Sequence, residues 1–227
     1  MTWRQSRHVL LPLVLILSAC SQQPPYPVPS EPLTGPMPVN LSGYWERDYS
    51  RGNDVNAELR RLFTRLGPDD LRYPGGTAPG FSASQADTIM ALAQFTDEIT
   101  RHDVLEITQT DTEISVHREE DYDLLCEFYQ GLAKATDSDY GYEVCGWDGE
   151  QLVSNLNLPD GLLIRHRFTI SDDRNYLRIT TTVASKASRV PFTLERYYRR
   201  FLPPNSDFNC IETLSMKRVC STGEIER

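Results

Sequence analysis

Five cysteines, four histidines and several runs of carboxylates are the side chains of this 227-residue chain with the most chemistry to offer. Cys20 follows Leu17-Ser18-Ala19 and closes an N-terminal segment with Arg4 and Arg7 and an almost unbroken apolar run over 9–17. A basic head, a short apolar middle and small residues at the cut describe an export signal. The apolar run is about half the ~20 residues that a membrane-crossing helix needs. Beyond Cys20 there remain Cys126, Cys145, Cys210 and Cys220. An even count in an exported chain favours disulfides, and four cysteines allow three connectivities. Cys126 and Cys145 fall on successive strand-like pieces, as if facing each other across a hairpin, and Cys210 and Cys220 bracket a C-terminal hairpin or loop. Nearest-neighbour pairing is therefore expected.

Past the signal the histidines are His102, His117 and His166. His166 shares strand parity with Leu162, Ile164, Phe168 and Ile170, so it points to the buried side. A buried histidine can bind a ligand or metal, but a hydrogen-bonded core histidine is the simpler reading. His102 and His117 read as loop and strand-surface residues. Glu119-Glu120-Asp121 with Asp123 reads as a solvated turn, and Asp137, Asp139 and Gly141 lack the remaining positions of a calcium loop. There is no Gly-x-Ser-x-Gly elbow, His-Glu-x-x-His, Cys-x-x-Cys or dinucleotide glycine pattern. Tyr73 to Gly80 is a Gly/Pro loop without the Lys-Ser/Thr of a phosphate loop. No metal, cofactor or catalytic residue is assigned, and the expectation is a protein that is not an enzyme. An envelope enzyme is the weakest alternative.

Leu17-Ser18-Ala19-Cys20 resembles the lipobox of bacterial lipoprotein precursors in all its positions. That resemblance implies cleavage before Cys20, a diacylated Cys20 sulfur and an acylated new amino group. Ser21 resembles the sorting class directed to the outer membrane, so the expected place is the periplasmic face of that membrane. Cleavage leaves 208 residues and, because the signal holds two arginines and no acid, lowers the net charge from −9 to −11. An acidic chain argues against nucleic acid and against adhesion to anionic lipid, leaving the acyl chains as the membrane partner.

The elements that must position the remaining residues follow in order. Residues 20–40 form a tether with seven prolines between 24 and 38, extended at about 3.1 Å per residue where it is polyproline II. Leu41-Ser42-Gly43-Tyr44-Trp45 reads as a first strand opening a domain over 41–202. Val55, Leu59, Leu62, Phe63 and Leu66 mark one face of a helix over 53–66, capped by Asn53 and stopped by Gly67-Pro68, with Arg60, Arg61 and Arg65 towards solvent. Ser84 with Asp87 resembles a capping box for a second helix over 84–100, with Ala86, Ile89, Met90, Ala93 and Ile99 on its buried side. These two helices make an insertion over 53–101.

From Val104 the period becomes two. A hairpin turns at Thr110-Asp111-Thr112, and strands are expected over 124–129, 142–147, 151–156, 162–170, 176–184 and 192–201. Short turns between them mean antiparallel neighbours. The fold class is mainly β (α+β), with the two helices inserted after the first strand: a meander of about eight or nine strands that curls into a barrel or folds into a sandwich to hide its edges. Residues 203–227 form a cysteine-closed tail.

Gly43-Tyr44-Trp45 at the head of such a meander resembles the Gly-x-Trp of lipocalin-like barrels, with two helices where those barrels carry a loop. The likeness also touches the 105–108 hairpin and Trp147-Asp148-Gly149. It implies that Trp45 closes one barrel end under an arginine of the last strand, where Arg196, Arg199 and Arg200 stand, Arg196 on the parity of Phe192 and Leu194. Phe192, Tyr197, Tyr198 and Phe201 line a cavity, fill the core or pack on the exterior. The expected function is binding or structural: a small apolar ligand near Trp45, His166, Phe168, Arg196 and Tyr198. The alternative is an envelope interaction protein that uses its helices, charged loops or tail.

Overall fold

The computed structural model describes residues 36–52, 54–67, 83–119, 121–138, 141–203, 208–211 and 219–222. The export signal, Cys20, most of the tether and the 73–80 loop lie outside these residues. The elements are β1 (Gly43–Arg47), α1 (Val55–Arg65), α2 (Ala83–Glu98), β2 (Val104–Gln109), β3 (Glu113–Arg118), β4 (Leu124–Tyr129), β5 (Leu132–Lys134), β6 (Thr136–Ser138), β7 (Gly141–Asp148), β8 (Gln151–Asn157), β9 (Leu162–Ile170), β10 (Tyr176–Ser185) and β11 (Phe192–Phe201). A separate hairpin joins β12 (Phe208–Ile211) to β13 (Val219–Thr222), with Cys210 opposite Cys220 in its register.

β1 to β11 form one antiparallel sheet in the order β5-β4-β3-β2-β1-β11-β10-β9-β8-β7-β6. It curls into a nearly closed barrel with two helices, a layout that fits a lipocalin-like fold. Eleven strands replace the expected eight or nine. The two extra are β5 and β6, three residues each, too short to display an alternating pattern. They close the barrel together. β5 pairs with the lower half of β4, at Glu127↔Lys134 to Tyr129↔Leu132. After Ala135 the same extended chain pairs as β6 with the upper half of β7, at Thr136↔Glu143 to Ser138↔Gly141. One segment thus bridges both edges of the sheet and leaves little edge unpaired.

The Cys126–Cys145 disulfide crosses this seam with a Cα–Cα distance of 5.5 Å. The pairing agrees with expectation, but its setting does not: β4 and β7 are not a hairpin, and curling of the sheet brings its two ends together. Cys145 Sγ lies 4.0 Å from the Leu125 carbonyl oxygen. β4 and β7 share no ladder of their own.

Two apolar clusters fill the interior. The larger gathers Leu41, Trp45, Leu105, Ile107, Phe128, Trp147, Leu177 and Tyr198 among others. The smaller joins Leu92 and Ala93 of α2 to Ile164, Val183, Phe192 and Leu194, with Val55, Leu59 and Leu62 of α1 against it. The helices therefore cover one end of the barrel. Asp54 caps α1, its carboxylate accepting the Ala57 N–H at 2.7 Å, and Asn53, the expected cap, lies outside the described residues. Along α2 the buried residues are Gln85, Ile89, Leu92, Ala93, Thr96 and then Thr100, whereas Met90 is 41% exposed. The buried stripe passes through Leu92 and Thr96, one position round from the expected face. Thr96 can join it because its hydroxyl donates to the Leu92 carbonyl at 2.7 Å.

Candidate functional site

The tether end of the barrel is locked. Gln109 holds the incoming chain, accepting the Leu41 N–H and donating to the Val39 carbonyl, both at 2.9 Å. Trp45 is fully buried and donates its indole N–H to the Leu41 carbonyl at 3.0 Å. Among the three arginine candidates, Arg200 lies over the Trp45 ring, 4.2 Å from its centroid. Trp45 and Arg200 face each other in the β1–β11 register. The guanidinium also donates to the carbonyls of Ser42 at 2.6 Å and Arg174 at 3.0 Å. Gly43 makes room for it: at φ +134° a Cβ there would stand 2.4 Å from a guanidinium nitrogen of Arg200. Arg199 points outward to Glu46 at 2.7 Å.

Arg196 has another partner. It turns into the barrel, ion-paired to Asp97 and donating to Thr100 Oγ1 at 3.2 Å. Burial lowers its pKa. It fastens the C-terminal end of α2 to the wall. Nearby, the Tyr198 hydroxyl donates to the His102 carbonyl at 3.2 Å, and burial raises its pKa. His166 points inward as its parity predicts, with Nδ1 2.9 Å from Thr181 Oγ1. Desolvation by burial, then the Arg118 charge, push its pKa down to about 3, so it is neutral near pH 7.

His166, Phe168, Arg196 and Tyr198, four of the five residues expected at a binding site, thus meet around one interior cavity. Trp45 is not in its wall, because Arg200 and Leu41 enclose it at the far end. The cavity holds about 30 Å³. That suits a water molecule and is far below the roughly 300–1,000 Å³ of small-molecule sites.

A larger space adjoins it where β4 and β7 part. This cleft holds about 390 Å³ and shares Ile99, Arg118, Leu124 and His166 with the cavity as a common wall. Leu156, Leu158 and Ile164 complete its apolar sides. Two inward charges face it. Arg118 follows Ile114 and Val116 in parity at the end of β3, and Glu143 precedes Cys145 and Trp147 in parity on β7. Arg118 lies 3.2 Å from Asp121 and also donates to the Tyr122 carbonyl. Glu143 accepts from the Ser154 hydroxyl at 3.0 Å, and burial raises its pKa. Sequence reasoning missed this pair, although the parity signal that marked His166 marks them equally.

His102, read as a loop residue, has a side chain only 12% exposed and lies 3.2 Å from Asp121. Asp121 is therefore pinned to the barrel by Arg118 and His102. His117 stays on the surface, 2.7 Å from Asp123. Among the described residues no three His, Cys, Asp or Glu side chains are placed to hold a metal ion.

The fold and site define a nearly closed antiparallel barrel with a side cleft, compatible with lipocalin-like proteins. The chain matches no protein-family model, and no curated protein matches it.

Proposed function

We propose that this protein is a non-catalytic binding module of the bacterial cell envelope. It is anchored through an acylated Cys20, with the barrel held off the outer membrane on the periplasmic side, and it takes a small, largely apolar ligand. The observation that carries the reading is the 390 Å³ cleft in the seam, whose apolar sides run on to the interior cavity past His166. Its size falls in the range of small-molecule sites. The ligand lies above the Cys126–Cys145 bond and beside His166, with Phe168, Arg196 and Tyr198 behind it; Trp45 supports the barrel from the other end. A Cys210–Cys220 bridge, in keeping with the β12–β13 register, closes the tail.

Native mass spectrometry of the soluble chain beginning at Ser21, purified gently from periplasm, tests this. A co-purifying mass lost on unfolding is expected. A bare protein that takes up nothing from an envelope lipid extract overturns the reading. Anchoring is checked separately: Cys20→Ala is expected to abolish incorporation of radiolabelled fatty acid, and undiminished labelling refutes it.

A second reading rests on the outer face of the seam. Leu125, Tyr129, Leu132 and Tyr142 are exposed there, with Tyr122 at its upper rim. Such a strip suits an envelope protein partner, and crosslinking in cells from Tyr129 is its test.

A further inference from the structure

We infer that Glu143 is a recognition group for a cationic head, so that the cleft takes a free single-chain amphiphile with an ammonium end and an apolar body. This rests on the cleft reading above and names the ligand class for it. Glu143 is an inward-facing carboxyl among Leu124, Leu156, Leu158 and Ile164. Its hydrogen-bond partner is a neutral hydroxyl, that of fully buried Ser154. Among the described residues no Lys, Arg or His nitrogen lies within 4.0 Å of it. A carboxylate withdrawn from water needs a cation or a proton.

Arg118, the one arginine among the described residues lining the cleft, makes no ion pair with Glu143 and acts on it only at a distance, its charge partly opposing the burial that raises the Glu143 pKa. The Arg118 guanidinium pairs through its two terminal nitrogens with the Asp121 carboxylate and the Tyr122 carbonyl, while its buried Nε has no hydrogen-bond partner. The cleft also contains Asp123, engaged by His117, and neutral His166. Asp121, Asp123 and Glu143 together outweigh Arg118, in a chain whose net charge is already −9. An anionic head could reach only the Nε of Arg118 without displacing Asp121, and it would meet this excess negative charge. An ammonium would instead complete half-buried Glu143 with a charge-assisted hydrogen bond. The leucines and Ile164 would hold the chain behind it.

The test titrates dodecylammonium, dodecanol and dodecanoate, each below its micelle concentration, into the complete mature chain carrying Cys20→Ala. Calorimetry is expected to rank dodecylammonium above dodecanoate by about tenfold or more. Glu143→Gln is expected to erase most of that preference and leave dodecanol binding unchanged. Dodecanoate binding more tightly, or an ammonium preference untouched by Glu143→Gln, overturns the inference and leaves the cleft reading standing. Binding of none of the three overturns both. If Glu143→Gln does not fold, the wild-type ranking of ammonium against carboxylate decides.

Discussion

The two ends of the barrel are closed by different means. At the tether end a few named atoms make the closure: Trp45 buried under Arg200, the guanidinium tied to two backbone carbonyls, and Gly43 leaving the space it occupies. At the helix end two helices are laid over the opening. α1 has no fully buried residue, and α2 is fastened by a polar group, Arg196 against Asp97 and Thr100. The seam follows the same division. Its lower half is laced by β5 and the disulfide, and its upper half parts into the cleft. The helical cover is held by Arg196 together with buried Leu92 and Ala93, and the cleft opens beside it near His166, Arg118 and Glu143.

That contrast can be broken from either side. Trp45→Ala is expected to cost most, about 3–5 kcal/mol, because it empties a fully buried site with fixed neighbours. Denaturant unfolding measures this. Replacing Cys126 and Cys145 together by Ser is expected to cost about 3 kcal/mol, the loop-closure value for a bridge of this span. Only the second change is expected to speed hydrogen exchange in β4 and β7 above the bond. Arg200→Ala is expected to cost about 1–2 kcal/mol through the lost ring contact and carbonyl bonds, with little change at the cleft. Asp54→Ala, which removes the α1 cap, is expected to cost about 1 kcal/mol. Its effect on exchange should stay in the helical cover.

The pH dependence sharpens the same division through two titrating groups at the helix end, buried His166 and half-buried Glu143. The His166 pKa is depressed to about 3 in the folded chain, against ~6.5 unfolded. The unfolded state binds the extra proton, so His166 contributes stability that is present above pH ~6.5 and is lost as pH falls towards about 3. Glu143 has the opposite sign. Its raised pKa means the folded state holds its proton longer, so its contribution declines as pH rises past the ordinary glutamate range. Urea midpoints against pH for His166→Gln and Glu143→Gln are expected to flatten these two windows separately. Identical profiles for both variants and wild type would refute the assignment.

Much of the barrel was legible without coordinates. A change from helical to two-residue period at Val104 located the meander, and 124–129, 162–170 and 192–201 coincide with β4, β9 and β11. The parity of His166 was legible because long strands alternate strictly. Asp54 was missed beside Asn53, since both are good caps and only the local backbone chooses between them. Met90 was misplaced because a helix against a curved wall need bury only a narrow stripe, which Thr96 can join once its hydroxyl is bonded.

Other features depend on which distant strands meet. Sequence by itself determined the alternation, the turns, the acidic charge, and the even set of cysteines beyond Cys20, because these depend on neighbours a few residues apart. Tertiary structure decided that Arg200, not Arg196, lies over Trp45, because the β1–β11 register puts it opposite that ring. It decided that Cys126 and Cys145 join the two ends of one sheet rather than a hairpin. It also decided that Arg118 and Glu143, 25 positions apart in sequence, face one cleft. Closing a curved sheet brings its far edges together, and no local pattern carries the curvature that does so.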